Sequence, residues 1–213
     1  MSSLRLYAAA HPVTALGPGN RLVLWVAGCG RDCPGCISPE MQPRDAGRDV
    51  PVDTLLRRIR RIETPLDGVT ISGGEPFDQA GPLCVLLEAL AGERPEWSVL
   101  VYSGYVLEEL REEPARAALL GMTDILIDGP YLEDFPPQGP IAGSGNQRIH
   151  YLTARGAALR AQVESLPAGR VNLGLSKSGK CDMIIGVSDA RDRAALCGEL
   201  GVGGGDDRAP DGA

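Results

Sequence analysis

The chain has 213 residues, 43% hydrophobic and 23% charged, and its 28 acidic against 21 basic side chains leave a formal charge of −7. That usage excludes wholesale disorder. The acidic balance argues against a nucleic-acid grip, which carries a basic patch, 4% aromatic residues leave little for base stacking, and two His exclude a His-rich metal site.

Residues 1–13 contain no apolar stretch of signal-peptide length, and nowhere do about 18 apolar residues run together. The expectation is a cytoplasmic protein with no membrane partner. Residues 21–27 form a β-branched, apolar run that fits a buried strand and ends at Gly28. Residues 53–62 carry Leu55, Leu56, Ile59 and Ile62 at helical spacing. A second strand at 68–72 ends in Gly73, Gly74, Glu75 and Pro76. The next helix spans 78–91, with Asp78 as N-cap and Leu83, Leu86, Leu87 and Leu90 on one face. A third strand, 97–102, leads into Ser103, Gly104 and Tyr105. Helical pieces follow at 107–111 and 114–120, then a fourth strand at 123–128 that ends at Asp128 and Gly129.

This alternation predicts βαβ units around a parallel sheet. Beyond Gly129 it fades. Residues 131–146 form a Pro- and Gly-rich loop, followed by a strand (148–152), a helix (154–165), strands near 171–176 and 182–187, and a last helix (189–200). Residues 201–213 are expected to be a disordered acidic tail. The chain thus divides into one core domain over 1–200, with 156–200 as a small α/β extension, and the tail. In parallel α/β sheets ligands sit beyond the carboxyl ends of the strands, so the four strand-end turns should converge on one mouth.

Six Cys are present, and Cys29, Cys33 and Cys36 fall within eight residues directly after the first strand. Gly28, Gly30, Pro34 and Gly35 suit a loop that curls around a small centre. Three thiolates suit zinc or an iron–sulfur cluster. Structural zinc takes four protein ligands, so three local ligands favour a cluster with one open iron. A zinc loop completed by a remote ligand, or inert thiols, are the alternatives. Cys84, Cys181 and Cys197 read as small buried hydrophobes.

The spacing Cys-x3-Cys-x2-Cys, followed at a strand end by Gly73, Gly74, Glu75 and Pro76, resembles the radical S-adenosylmethionine (SAM) superfamily. Gly17 to Arg21, Val101 to Tyr105, Asp128 to Tyr131 and Gly143 to Arg148 are similar to motifs of one branch of it. That branch comprises the activating enzymes of anaerobic ribonucleotide reductase and related glycyl-radical enzymes. The likeness runs from about residue 10 to 155.

This resemblance implies an α/β fold: an incomplete, open (β/α) barrel of partial TIM type with a mostly parallel sheet. It implies a [4Fe-4S] cluster on Cys29, Cys33 and Cys36, with SAM completing the fourth iron. Its SAM contacts would be Gly35, Ile37, Gly73, Gly74, Glu75, Pro76, Ser103, Asp128, Asn146 and Arg148. Gly73 and Gly74 would let backbone approach the methionine end, and Glu75 would fix the turn or oppose the ammonium. Ser103 and Asp128 would offer polar groups at neighbouring strand ends. Arg148 would clamp a carboxylate of SAM or of a partner. Gly35 replaces the aromatic residue that many members carry before the third Cys, which leaves Ile37 or backbone to meet adenine.

The implied activity is removal of a hydrogen atom from a glycine Cα of a glycyl-radical enzyme, foremost an anaerobic ribonucleotide reductase large subunit. A flavodoxin- or ferredoxin-type protein would supply the electron. Two other functions share the motifs: a radical SAM enzyme acting on a peptide or small molecule, and a non-catalytic zinc or iron–sulfur regulatory module. Arg57, Arg58, Arg60 and Arg61 interleave with Leu and Ile at helical spacing and read as a solvated face.

Overall fold

A computed structural model describes residues 2–167, 171–175 and 181–186. The expected last helix (189–200), the tail (201–213) and Cys197 lie outside the described residues. A seven-stranded sheet runs in the order β3-β1-β2-β4-β5-β6-β7. Its strands are β1 (Ser3–Val13), β2 (Arg21–Val26), β3 (Arg48–Pro51), β4 (Gly68–Gly73), β5 (Ser98–Tyr102), β6 (Ile125–Asp128) and β7 (Arg148–Tyr151). The central four, β2, β4, β5 and β6, are parallel neighbours. β1, β3 and β7 add antiparallel borders.

The architecture is therefore mixed α/β around a parallel centre, as the alternating pattern predicts. Among the described residues the sheet is open, with β3 and β7 at its edges. β1 and β3 are additions to the predicted elements. The small residues Ala8 to Ala10 blur the hydrophobic alternation of β1, and β3 has only four residues.

Period-two alternation assigns the two faces of the sheet. Leu22, Leu24, Val26, Val69, Ile71, Val101 and Leu126 pack in one core with α1 (Val52–Arg60), α2 (Ala80–Glu93), α3 (Leu107–Glu112) and α4 (Pro114–Gly121). On α1, Leu55, Leu56 and Ile59 are buried while Arg57, Arg58 and Arg60 are exposed, the solvated face expected of that run. The opposite sheet face is covered in two halves. Leu100, Ile125 and Ile127 lie under Ile141 of the long loop and Val163 of α5 (Ala154–Glu164). Val13, Leu16, Val23 and Trp25 lie under Ile185.

Ile185 belongs to β9 (Cys181–Gly186), which pairs with β8 (Val171–Leu175) in a separate antiparallel hairpin. Asn172 fastens this hairpin: its Oδ1 accepts from the Thr14 and Ala15 amides at 2.9 and 2.7 Å. Through Ile185 and Asn172 this strand pair covers that part of the sheet.

The lower end of the sheet is closed by Arg21, which is fully buried. Its guanidinium donates to Thr70 Oγ1 (2.6 Å), Ser98 Oγ (3.0 Å) and the carbonyls of Val69, Ser98 and Pro18 (2.7, 2.8 and 3.2 Å). No carboxylate is among these partners, and burial drives its pKa down to about 10. Gly17 admits this side chain, since a Cβ there would lie 2.6 Å from Arg21 Cδ.

Candidate cluster site

Because β2, β4, β5 and β6 are parallel neighbours, their carboxyl ends share one edge, and the Cys loop rises from it. The loop is moored at its root. Gly28 N donates to Met41 O (2.9 Å), Cys29 N to Gln42 O (3.0 Å), and the Gln79 amide spans Ala27 O and the Arg5 backbone. Gly28 and Gly35 adopt φ of 95° and 66°, and Asp32 reaches 44°. The left-handed region costs glycine little, which suits Gly28 and Gly35 to the tight turns of this loop.

Cys29, Cys33 and Cys36 are free thiols of intermediate exposure. Arg31 N–H points at Cys29 Sγ (3.4 Å) and Ser38 N–H at Cys36 Sγ (3.5 Å). Burial raises the Cys29 and Cys36 thiol pKa values, the amides at the sulfurs oppose it, and the Cys33 charge adds to it at both. Three soft donors on one loop, two of them with amide hydrogens at sulfur, fit an iron–sulfur cluster, whose sulfurs are tuned by such hydrogen bonds. Among the described residues no three His, Cys, Asp or Glu side chains converge on a point as ligands of one ion would. Thiolates that bind separate irons need not meet at one point.

Gly73 and Gly74 lie directly beside this loop. Gly73 has φ 107°. A Cβ on it would overlap the Val26 carbonyl oxygen, and one on Gly74 the Gly28 carbonyl oxygen. Gly74 N and Glu75 N donate to those same carbonyls at 2.8 and 2.9 Å. The glycine pair is thus needed for the end of β4 to grip the root of the Cys loop, before any ligand is considered.

Glu75 is fully buried. Its carboxylate accepts from Phe77 N (3.0 Å), Ser103 Oγ (3.0 Å) and Gly104 N (2.8 Å). It caps the short turn Pro76–Gln79 and ties the end of β4 to the end of β5. Burial outweighs these donors and lifts its pKa to about 7. Of the two roles open to Glu75, fixing the turn is the one its hydrogen bonds perform. Asp78, expected to cap the helix, instead accepts from the Tyr105 hydroxyl at 2.9 Å. The helix proper begins at Ala80, behind the Pro76–Gln79 turn.

Asp128 is 1% exposed. Its Oδ2 accepts from Leu107 N at the start of α3 (2.7 Å), and Oδ1 stands 3.0 Å from His150 Nε2. Asn146 Nδ2 donates to Pro130 O (2.8 Å), and Gln147 Nε2 to Gly129 O (2.9 Å), which staples the long loop to the end of β6. Arg148 is exposed and pairs with Asp128 across the β6–β7 ladder. Ile37 is half-buried, one residue past the third Cys. A cavity of about 240 Å³ opens between the Cys loop (Arg31, Cys33, Pro34) and Pro130, Tyr131 and Leu132. His150 and Arg116 stand near the same edge of the fold and carry no mark in the sequence, because their partners Asp128, Tyr105 and Asp78 lie 11 to 38 positions away.

Residues 15–150 match the family described as a 4Fe-4S single cluster domain. The anaerobic ribonucleoside-triphosphate reductase-activating protein of Escherichia coli (strain K12) is 28% identical over 153 residues, 68% of this chain and 98% of that protein. Its counterpart from Pasteurella multocida (strain Pm70) is 32% identical over 157 residues, 69% of this chain and 98% of its own. The pyruvate formate-lyase-activating enzyme of Clostridium pasteurianum is 30% identical over 123 residues, 55% of this chain and 49% of that enzyme.

Proposed function

The chain belongs to the 4Fe-4S single cluster domain family, and from that premise we propose that it is a radical SAM activating enzyme that installs a glycyl radical on a partner enzyme. The partner is a glycyl-radical enzyme such as an anaerobic ribonucleotide reductase. The observation that carries this is the set of three half-buried thiols on one loop at the mouth of the parallel sheet, gripped by Gly74 and Glu75. Cys29, Cys33 and Cys36 hold the [4Fe-4S] cluster. Bound there with SAM, the cluster supplies one-electron reductive cleavage of the sulfonium, and with it a carbon radical able to take a hydrogen atom from a glycine Cα.

The remaining work belongs to the chain's own residues. Backbone amides of Arg31 and Ser38 orient two thiolates. Glu75 keeps the Gly104 amide and the Ser103 hydroxyl in fixed places beside the loop. The Gly73–Pro76 turn, Gly35 and Ile37 form the near wall for SAM, and Ser103, Asp128, Asn146 and Arg148 the far one. Tyr131 and Leu132 line the cavity next to Cys33. A radical centre needs water and oxygen kept away, since both end it in side reactions.

The sheet is open rather than closed into a barrel, and a partial-barrel architecture with a mouth that admits a protein loop is part of this proposal. A flavodoxin- or ferredoxin-type donor fits the one-electron demand. An oxygen-poor cytoplasm suits half-buried free thiols. Among the described residues no helix is long and apolar enough to cross a membrane.

The test combines the anaerobically reconstituted chain, SAM, a low-potential reductant and an anaerobic ribonucleotide reductase. A doublet of a carbon-centred glycyl radical in electron paramagnetic resonance, with one 5′-deoxyadenosine per radical, is the expected result. 5′-Deoxyadenosine without any protein radical would remove the activase assignment, and absence of both would remove the radical chemistry.

A further inference from the structure

Between Cys29 and Cys33 the loop carries Arg31, whose side chain leaves the loop and lies against Gly104: a Cβ there would sit 3.2 Å from Arg31 Cγ. Its guanidinium carbon is 4.6 Å from the ring centroid of Tyr105, and that of Arg116 is 3.9 Å from the same centroid. The Tyr105 hydroxyl donates to Asp78 Oδ1 (2.9 Å) and accepts from Arg116 Nη2 (2.8 Å). Arg31 Nη1 also reaches Glu109 Oε1 at 3.4 Å. One aromatic side chain therefore joins three pieces of the mouth: the Cys loop through Arg31, the Pro76–Gln79 turn through Asp78, and α4 through Arg116. Cations over a Tyr face are attracted by the negative face of the ring. The two guanidinium groups, which repel each other, are held together by that ring and by Asp78 and Glu109.

We infer that Tyr105 is a positioning residue for the cluster loop, acting through Arg31 to hold Cys29 and Cys33 at the separation the cluster requires. The inference rests on the cluster assignment above and adds a residue that neither binds the cluster nor reacts. The ring, more than the hydroxyl, is the part that matters for Arg31, because Arg31 meets the ring and the hydroxyl is spent on Asp78 and Arg116. Phe should therefore replace Tyr105 with little effect on the loop, whereas Leu, similar in bulk but without a π face, should not.

The test uses the full chain with its cluster reconstituted and follows loss of iron to an excess of ferrous chelator. Tyr105→Leu is expected to release iron roughly fivefold faster than wild type, the scale of one cation–π contact, and Tyr105→Phe to stay within about twofold. Arg31→Met should match Tyr105→Leu, and the double variant should be no faster than either single one, since both remove the same contact. A wild-type rate in Tyr105→Leu, or multiplicative rates in the double variant, would overturn the inference.

Alkylation of the cluster-free chain by iodoacetamide separates local from global effects. Cys29 and Cys33 should react roughly fivefold faster in Tyr105→Leu, the same contact being lost, while Cys84, on α2, keeps its rate. An equal rise at Cys84 would mean general loosening and would also overturn the assignment. A chain that assembled no cluster would refute the proposed function and still leave this second measurement to judge Tyr105.

Discussion

Replacing Glu75 by Gln should flatten the pH dependence of stability between pH 6 and pH 8. Burial lifts the Glu75 carboxyl from the ordinary 4.5 to about 7 in the folded chain. Between those values the folded state binds a proton that the unfolded state has released. The stabilisation linked to Glu75 is therefore complete below pH 4.5 and is lost as pH rises through 7. A tenfold change in proton affinity is worth about 1.4 kcal/mol, so the whole effect is about 3 kcal/mol, of which about 1 kcal/mol falls between pH 6 and 8. Burial pushes the Cys29 and Cys36 thiols up, away from this window.

Glu75→Gln keeps an oxygen for Phe77 N and the Ser103 hydroxyl but turns an NH2 toward Gly104 N–H, a pH-independent cost of about 1–3 kcal/mol. Only the difference in slope isolates the titration. Urea unfolding of the cluster-free chain, followed by the fluorescence of Trp25 and Trp97 at several pH values, supplies both curves. Wild type should lose about 1 kcal/mol relative to the variant on going from pH 6 to 8. Parallel curves, or a wild-type stability that rises with pH relative to the variant, would refute the assignment of a buried, proton-holding carboxyl.

Arg21→Met should lower the unfolding free energy by about 2–4 kcal/mol, because three carbonyls and two hydroxyls lose a buried donor; Arg21→Lys should recover only part of it, since three ammonium donors cannot serve five contacts, and urea midpoints at constant slope read both. Gly74→Ala should displace the root of the Cys loop, because its Cβ overlaps the Gly28 carbonyl, and iron and sulfide analysis after reconstitution should fall clearly below four of each per chain. Asn172→Ala removes the anchors on Thr14 and Ala15, at a cost of about 1–2 kcal/mol, so amide exchange across Val171–Leu175 should quicken roughly tenfold while β4 and β5 keep their protection.

The parallel centre of the fold was legible because four strands buried on both faces read as unbroken apolar runs, each closed by a small or polar turn. The Cys trio was legible for a similar reason: soft donors packed into eight residues point to a thiophilic metal centre. Solitary polar residues were less informative. Glu75 looks like a turn residue in one dimension, and only its burial shows that its carboxylate joins two strand ends. Arg21 opens an apolar run and would pass for a strand terminus, yet it fills the base of the sheet with neutral partners 48 to 77 positions away.

Asp78 illustrates the opposite error. Local capping rules assign it to its own helix, but a phenol from a distant loop outcompetes the backbone for its carboxylate. β1 was hidden by its alanines, whose side chains are too small to mark a face. Its pairing with β2 and β3 comes from tertiary context rather than local preference.

The sharpest measurement is Mössbauer spectroscopy of the ⁵⁷Fe-reconstituted chain with and without SAM. If Cys29, Cys33 and Cys36 bind three irons and leave one open, SAM should move the signal of a single iron and leave the other three unchanged. Four irons that ignore SAM, or a preparation that binds zinc without sulfide, would contradict it.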